Sequence, residues 1–415
     1  MPGFLTLLPP DEARALLLAH LGGPLPDSEM IDSPNALGRV TAVDISAPHP
    51  LPEFPRSTVD GYAVRAVDTF GAGESLPAYL TLVGEIPMGA PAALTLEHGQ
   101  CALIHTGGML PAGADSVVML EYTQPARKTE IEIARAVAVG ENIISVGEDV
   151  CRGQVVLPRG SLLREAEIGG LMALGLVKVR IVKKPRIGLI SSGDEVVDPS
   201  QLIVDPGKVR DINSYTLAAL VTRAGGEPIR YGIVQDDFST LQGMARRALV
   251  ECDAVVITAG SSASTRDMTA DVIRTLGAPG VLVHGINTRP GKPTILGVAD
   301  GKAVIGLPGN PVSALVNGFL FVVPVIEKLL GVLPHPRGMV MARLMVNLPS
   351  QAGREDWWPV HLLNPSLRGS GVFEADPIFG KSNLIFTLTA ADGLLRIPPD
   401  ATGLSAGEIV DVMLL

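Results

Sequence analysis

Three loops carry the residue types that hold anions and metal ions at close range. They are Ser191-Ser192-Gly193-Asp194-Glu195, residues 258–267 (Thr-Ala-Gly-Ser-Ser-Ala-Ser-Thr-Arg-Asp), and Leu307-Pro308-Gly309-Asn310-Pro311-Val312-Ser313. Small side chains let a backbone approach a ligand, and successive N–H groups at a helix start can cradle a phosphate. In the second loop Gly260, Ser261, Ser262 and Ser264 are the candidates, and a plain strand-to-helix connection would have the same composition. Asp194, Glu195, Asp236, Asp237 and Asp267 each follow an expected strand, so an open α/β sheet can gather them at one rim. Acids facing a phosphate repel it unless a hard cation intervenes, and ligands that are all oxygen favour Mg²⁺. Asp194, Glu195, Asp236 and Asp267 are therefore candidate metal ligands, and the chemistry they suggest is metal-assisted phosphoryl or nucleotidyl transfer. An acid at 236 or 237 would serve equally as a helix cap. Arg289-Pro290-Gly291-Lys292-Pro293 places two cations on a rigid turn, where Lys292 can meet an anion as a point charge or simply be solvated.

Other chemistries lack their residues. Gly380-Lys381-Ser382 is not a phosphate-binding P-loop, because Ala375 stands where that motif needs glycine. The first α/β strand is followed by no GxGxxG, and the histidines form no HExxH. Trp357-Trp358 lie in an expected strand, so one should pack inward and the other face a cleft or a subunit contact.

The elements that must position these loops change character along the chain. A helix is expected over residues 11–21, then short strands separated by Gly, Pro and acids over about 38–156, then a helix after Ser161 as its cap. From Arg186 strand and helix alternate: strands at 187–190, 229–234, 254–258, 281–283 and 303–307, and helices at 215–223, 240–250, 268–276 and after Asn310, with Asn213 and Ser239 as caps. Such alternation predicts a parallel sheet with helices on both faces. Beyond Pro334 the pattern predicts strands alone, including one at 384–388.

Bulk properties set the limits. At 415 residues the chain is long enough for two to four domains, and with 47% apolar residues it can build their cores. Its formal net charge of −10 argues against a general field for nucleic acid or anionic membrane, so neither is an expected partner. Three scattered cysteines suit a reducing compartment, and no basic stretch precedes the first apolar residues, so a cytoplasmic location is expected. The most apolar run, residues 314–326, reads as a buried helix.

Read together, the motifs resemble the MoeA/gephyrin E-domain family of molybdopterin molybdenumtransferases over nearly the whole chain. The resemblance rests on Arg56-Ser57-Thr58-Val59-Asp60-Gly61-Tyr62-Ala63, Thr106-Gly107 with residues 110–118, Gly140-Glu141-Asn142, Gly147-Glu148-Asp149, Gly193-Asp194-Glu195, Asp211-Ile212-Asn213-Ser214, Asp236-Asp237, Pro290-Gly291-Lys292-Pro293 and the Leu307 to Ser313 loop. It implies an α/β multidomain fold: an elongated helical linker domain (1–45 plus 146–180), an inserted β-rich domain (46–145), a central parallel-sheet α/β domain (181–333) and a C-terminal β domain (334–415). It implies a homodimer with shared sites, the upstream molybdopterin adenylyltransferase as a partner, and Mg²⁺. The implied reaction takes molybdate and adenylylated molybdopterin to molybdenum cofactor and AMP.

The resemblance also implies site roles. Ser192, Gly193, Gly260, Ser261, Ser262, Ser264, Arg289, Pro308, Gly309, Asn310 and Ser313 would hold pterin and phosphates. Asp194, Glu195, Asp236 and Asp267 would manage the cation, Lys292 would neutralise phosphate or molybdate, and Asp60, Thr106 and Asp149 would come from the partner subunit. Ser261 and Ser264 depart from the family's glycine-rich loop, which leaves tungstate handling open. A non-catalytic dimeric scaffold and another Mg²⁺-dependent nucleotidyl enzyme are the alternatives.

Overall fold

The computed structural model describes residues 7–259, 263–336, 338–364 and 371–415. Gly260, Ser261 and Ser262, and the side chains of Ser264, Arg266 and Asp267, lie outside the described residues.

Runs of β-branched residues build the centre of the molecule. Ile187, Ile190, Val255, Val256, Ile257, Val304 and Ile305 are all buried in a six-stranded sheet. Its order is Glu227–Val234, Arg186–Ser192, Ala254–Ala259, Lys302–Pro308, Ile295–Ala299, Pro279–His284. The first four strands are parallel, as the alternation predicts. Ile295–Ala299 runs antiparallel to both its neighbours, which corrects the all-parallel expectation, and Pro279–His284 at the edge again points the way of the first four. The reason is local. Asp300 and Gly301 adopt φ of 50° and 85°, the left-handed pair of a tight hairpin, and a two-residue link can join only antiparallel strands.

Helices Asn213–Arg223, Phe238–Glu251 and Ala263–Arg274 cover the sheet. A helical run Pro311–Leu330 passes through a π-helical segment, Gly318–Val322, and contributes Phe321, Val325 and Ile326 to the main core. That run is long and apolar enough to cross a membrane, and 78% of its apolar window is buried inside the fold. Three caps differ from expectation. Ile212 rather than Asn213 holds the cap position of the helix Asn213–Arg223, because the Asn213 side chain is turned to the Gly309 carbonyl. Asp237 accepts from the Thr240 N–H and so starts the helix at Phe238, ahead of Ser239. The helix after Ser161 begins at Glu165, where the Glu167 carboxylate accepts from both the Arg164 N–H and its guanidinium, while the Ser161 hydroxyl donates to the Pro158 carbonyl.

Helix Pro10–Ala19 buries Ala13 and Leu17 in the same core as the sheet. Strand Ser28–Asp32 pairs with Lys178–Val182, and Ile45–Ser46 with Val155–Leu157, so the chain leaves and re-enters this linker region side by side. Between these pairings lies a second six-stranded sheet formed within residues 61–133.

In the C-terminal region, Glu355–Leu363, Phe373–Pro377, Met339–Leu344, Ile409–Leu414 and Gly393–Ile397 pair in turn, and the first and last also pair, closing a ring. Thr288–Arg289 of the α/β region adds in parallel to Glu355–Leu363, setting Arg289 opposite Asp356. The strand expected at 384–388 is instead a helical turn, Phe386–Thr389. Thr387 and Thr389 donate their hydroxyls back to the carbonyls of Leu384 and Ile385, a local bonding pattern that competes with a sheet ladder.

Candidate functional site

Two cavities open where the carboxyl ends of the parallel strands meet the C-terminal region, and Asn310 and Asn383 belong to the walls of both. The smaller, about 370 Å³, is bounded by Ser191, Ser192, Glu195, Asp211, Asn213, Thr258 and Gly309. Its base is a hydrogen-bonded set. The Asp211 carboxylate accepts from the Ser191 hydroxyl at 2.9 Å, from the Ser214 hydroxyl at 2.6 Å and from the Ser214 N–H at 3.1 Å. Asn213 starts the following helix and donates its Nδ2 to the Gly309 carbonyl at 2.8 Å, binding two of the loops together. Arg210 brings a guanidinium to this wall, but it donates to the carbonyls of Pro199, Gln201 and Leu202. Among the described residues the cavity thus presents acids, hydroxyls and amides rather than an open cation.

The larger cavity, about 660 Å³, has the opposite character. Arg289, Lys292, Arg354 and Lys381 converge on it, with Pro308, Asn310 and Ser313 from the third loop. Buried Asp356 takes Arg354 in a bidentate pair at 2.6 and 2.9 Å and stands 3.9 Å from Arg289. Lys292 and Lys381 have no acidic partner among the described residues, leaving two cations for a dianion. Arg289 lies over Trp358, 5.3 Å from its ring centroid, and Phe379 meets the same indole edge-on. Both tryptophans of the chain line this cavity, which corrects the expectation of one facing inward. Trp357 packs toward the α/β core and Trp358 toward the C-terminal core, and the cavity lies at that junction.

The cationic turn is fixed from behind. Gly291 has φ of 102°, and a Cβ there would stand 1.7 Å from Asn317 Nδ2, which donates to the carbonyls of Pro290 and Ser313. Only glycine fits that backbone and that contact. On the opposite wall Asn310 donates to the Ser382 hydroxyl, and the Val312 N–H to the Ser382 carbonyl, so the Lys381 turn is tied to the helix start.

The remaining expected residues fall in three places. Ser192 donates to Asp236 at 2.8 Å, and the Asp236 N–H donates to the Asp194 carboxylate at 3.2 Å, which ties the two loops together at the strand ends. Gly193, with φ of 153°, leaves room for the Glu195 carboxylate. Asp237 is a helix cap. Asp60 and Thr106 meet on the second sheet's rim, where Asp60 accepts the Thr106 N–H at 2.8 Å. That bond, ahead of contacts with the Thr106 hydroxyl and His105, holds the Asp60 carboxyl below the usual range. Asp149 lines a third cavity of about 620 Å³ with Arg56 and Glu148. Within one chain, Asp60, Thr106 and Asp149 line neither of the two cavities.

No group of three or more His, Cys, Asp or Glu poised for a metal occurs among the described residues. Asp194 and Asp236 nonetheless suit Mg²⁺ by donor chemistry, because that ion is commonly held by one or two carboxylates with water and substrate phosphate completing its shell.

Sequence reading missed Arg354, Lys381, Ser382, Asn383 and the dual role of the tryptophans as site walls. The Lys381 turn was legible as a failed P-loop and as a departure, at Gly380-Lys381-Ser382-Asn383, from the Ser-Gly-rich turn that the family resemblance implies, but not as a site wall. Asp211 and Asn213 were visible as a motif, but the loop contact that gives Asn213 its place is made across 96 residues of sequence.

Comparison with known proteins agrees along the whole chain. Residues 8–175 match the MoeA N-terminal region (domain I and II), 188–328 the "Probable molybdopterin binding domain" and 341–415 the MoeA C-terminal region (domain IV). A molybdopterin biosynthesis protein of Methanocaldococcus jannaschii is 35% identical, covering 99% of this chain and 98% of the relative. A molybdopterin molybdenumtransferase of a Nostoc species is 33% identical, covering 94% and 89%. The crystal structure of a molybdopterin biosynthesis moeA protein from Pyrococcus horikoshii superposes with a TM-score of 0.85 at 34% identity, covering 99% of this chain and 100% of that one. With three successive regions matched in order and full-length relatives at this identity, the chain belongs to the MoeA family of molybdopterin molybdenumtransferases.

Proposed function

We propose that this chain transfers molybdenum from molybdate into adenylylated molybdopterin and releases AMP, with Mg²⁺, as a cytoplasmic homodimer with shared sites. The observation that carries the reading is the pairing of a cavity whose two lysines have no acidic partner among the described residues with a neighbouring cavity of acids and amides across the shared wall of Asn310 and Asn383. One suits a tetrahedral dianion, the other an uncharged ring.

In this reading Lys292 and Lys381 hold molybdate as charge-assisted donors, and Ser313 adds a hydroxyl. The tryptophan wall limits water around the oxyanion and so strengthens those contacts. Asp194 and Asp236 would hold Mg²⁺, whose chemistry is to polarise the adenylyl phosphate. The chain's own residues hold the dithiolene and the oxyanion face to face: a molybdate or water oxygen attacks the adenylyl phosphorus, the phosphoanhydride bond breaks and AMP leaves, while the two sulfurs replace two molybdate oxygens, which depart as water with the thiol protons. Asp60, Thr106 and Asp149 complete the neighbour's site, and the ionised Asp60 provides an acceptor there.

The test is AMP release by purified protein given adenylylated molybdopterin, molybdate and Mg²⁺. AMP formed in step with molybdenum insertion is expected, and none formed ends the reading. Mixing Asp60→Ala chains with Asp236→Ala chains should restore about a quarter of wild-type activity through heterodimers. No recovery on subunit exchange would end the shared-site assignment.

A further inference from the structure

One buried acceptor in the smaller cavity is unaccounted for. Asn213 is 8% exposed and lines that cavity, and its Nδ2 is spent on the Gly309 carbonyl, yet its Oδ1 has no hydrogen-bond partner among the described residues. Leaving such an oxygen unpaired is costly, and the neighbouring structure is not short of means to satisfy it, since hydroxyls of Ser191 and Ser214 both reach Asp211 instead.

Asp211, two positions before it and 6% exposed, is the second half of the feature. A carboxylate offers about four lone-pair sites, and Asp211 uses three in the bonds from Ser191 and Ser214. The cavity base therefore holds a spare carboxylate lone pair and a free amide carbonyl on neighbouring residues. Both accept, and neither donates. Glu195 and Asp211 also disfavour an anion here, while the Arg210 guanidinium is occupied by backbone carbonyls.

We propose that Asp211 and Asn213 form a two-acceptor edge that reads a ligand face presenting two adjacent donors, an exocyclic amine beside a ring N–H. This rests on the proposed reaction and divides its organic substrate. A 2-amino-4-oxopyrimidine ring, as in a pterin, carries that donor pair. Adenine does not, because its amine is flanked by ring nitrogens that accept. The smaller cavity thus takes the pterin end of the substrate and excludes the adenine end, and Asn213 is a specificity-determining residue.

The experiment compares free pterin with lumazine, which has oxygen in place of the 2-amine, and AMP with IMP, by calorimetric competition on the full chain. Pterin should bind at least about tenfold more tightly than lumazine, while AMP and IMP differ by less than about twofold. In Asn213→Leu, checked for native circular dichroism, the pterin-to-lumazine ratio should fall toward one. Should that variant not fold, the ligand pairs on the wild-type protein still decide. Equal binding of pterin and lumazine, no binding of pterin, or a larger preference for AMP over IMP would each overturn the proposal. Equal ring binding with normal AMP release defeats this assignment alone. Intact pterin preference without AMP release defeats the proposed reaction alone.

Discussion

The two cavities share Asn310 and Asn383 yet are built by opposite means. The larger is made between domains, from a turn of the α/β region locked onto the C-terminal ring through Thr288–Arg289, and in the proposed reading it selects by charge left unpaired among the described residues. The smaller is made largely within the α/β region, from strand ends and a helix start, and in the proposed reading it selects by hydrogen-bond roles. The contrast teaches how a strongly acidic protein can offer an anion a local welcome, by withholding a few cations from acidic partners. Asp356 neutralises Arg354, and no described acid does so for Lys292 or Lys381.

The sharpest way to break the contrast is to disturb the turn itself. Gly291→Ala drives a Cβ into Asn317 at a left-handed φ, and should cost roughly 3 kcal/mol of stability. Thermal unfolding would register this as a clear fall in Tm; an unchanged Tm would mean the turn is not held by that contact. Next in size, Lys292→Ala should weaken molybdate binding by about 10- to 100-fold, the worth of a charge-assisted bond, with pterin binding unchanged. Calorimetry of both ligands checks it, and equal loss of both would erase the division between the cavities.

A smaller effect is expected from Trp358→Leu, which frees Arg289 from its stack. Molybdate affinity should drop about threefold to tenfold. Because Trp357 is then the sole tryptophan and lines the same cavity, its emission should still respond to molybdate.

The smallest change concerns acid stability remote from both cavities. The Arg164 side chain, bonded to Glu167, holds that carboxyl down from the usual 4.5 to about 2. A depressed carboxyl stabilises the fold above its unfolded value and loses that contribution as pH falls from about 4.5 toward 2. Glu167→Gln should remove this part of the acid dependence and leave ligand binding at neutral pH as it was, read by unfolding midpoints across that range.

How much of this was legible follows from how each feature is encoded. The sheet strands announce themselves as runs such as residues 254–258, and the loops after them carry their small residues in sequence, so Ser192, Gly309, Asn310 and Ser313 were found at the cavity walls. The antiparallel edge was signalled only by Asp300-Gly301, two residues outweighed by the general alternation. Lys381 and Trp358 join the site through pairing between domains, which has no local signature. Asn213 read as a helix start, and the fact that its carbonyl is left over emerges only when every neighbour's hydrogen bonds are counted.

The most direct measurement is crystallographic: tungstate and pterin bound together, with tungsten placed by its anomalous scattering. The account predicts tungsten between Lys292 and Lys381 and the pterin amine on Asn213 and Asp211. Tungsten in the smaller cavity, or the pterin ring against the lysines, would contradict it.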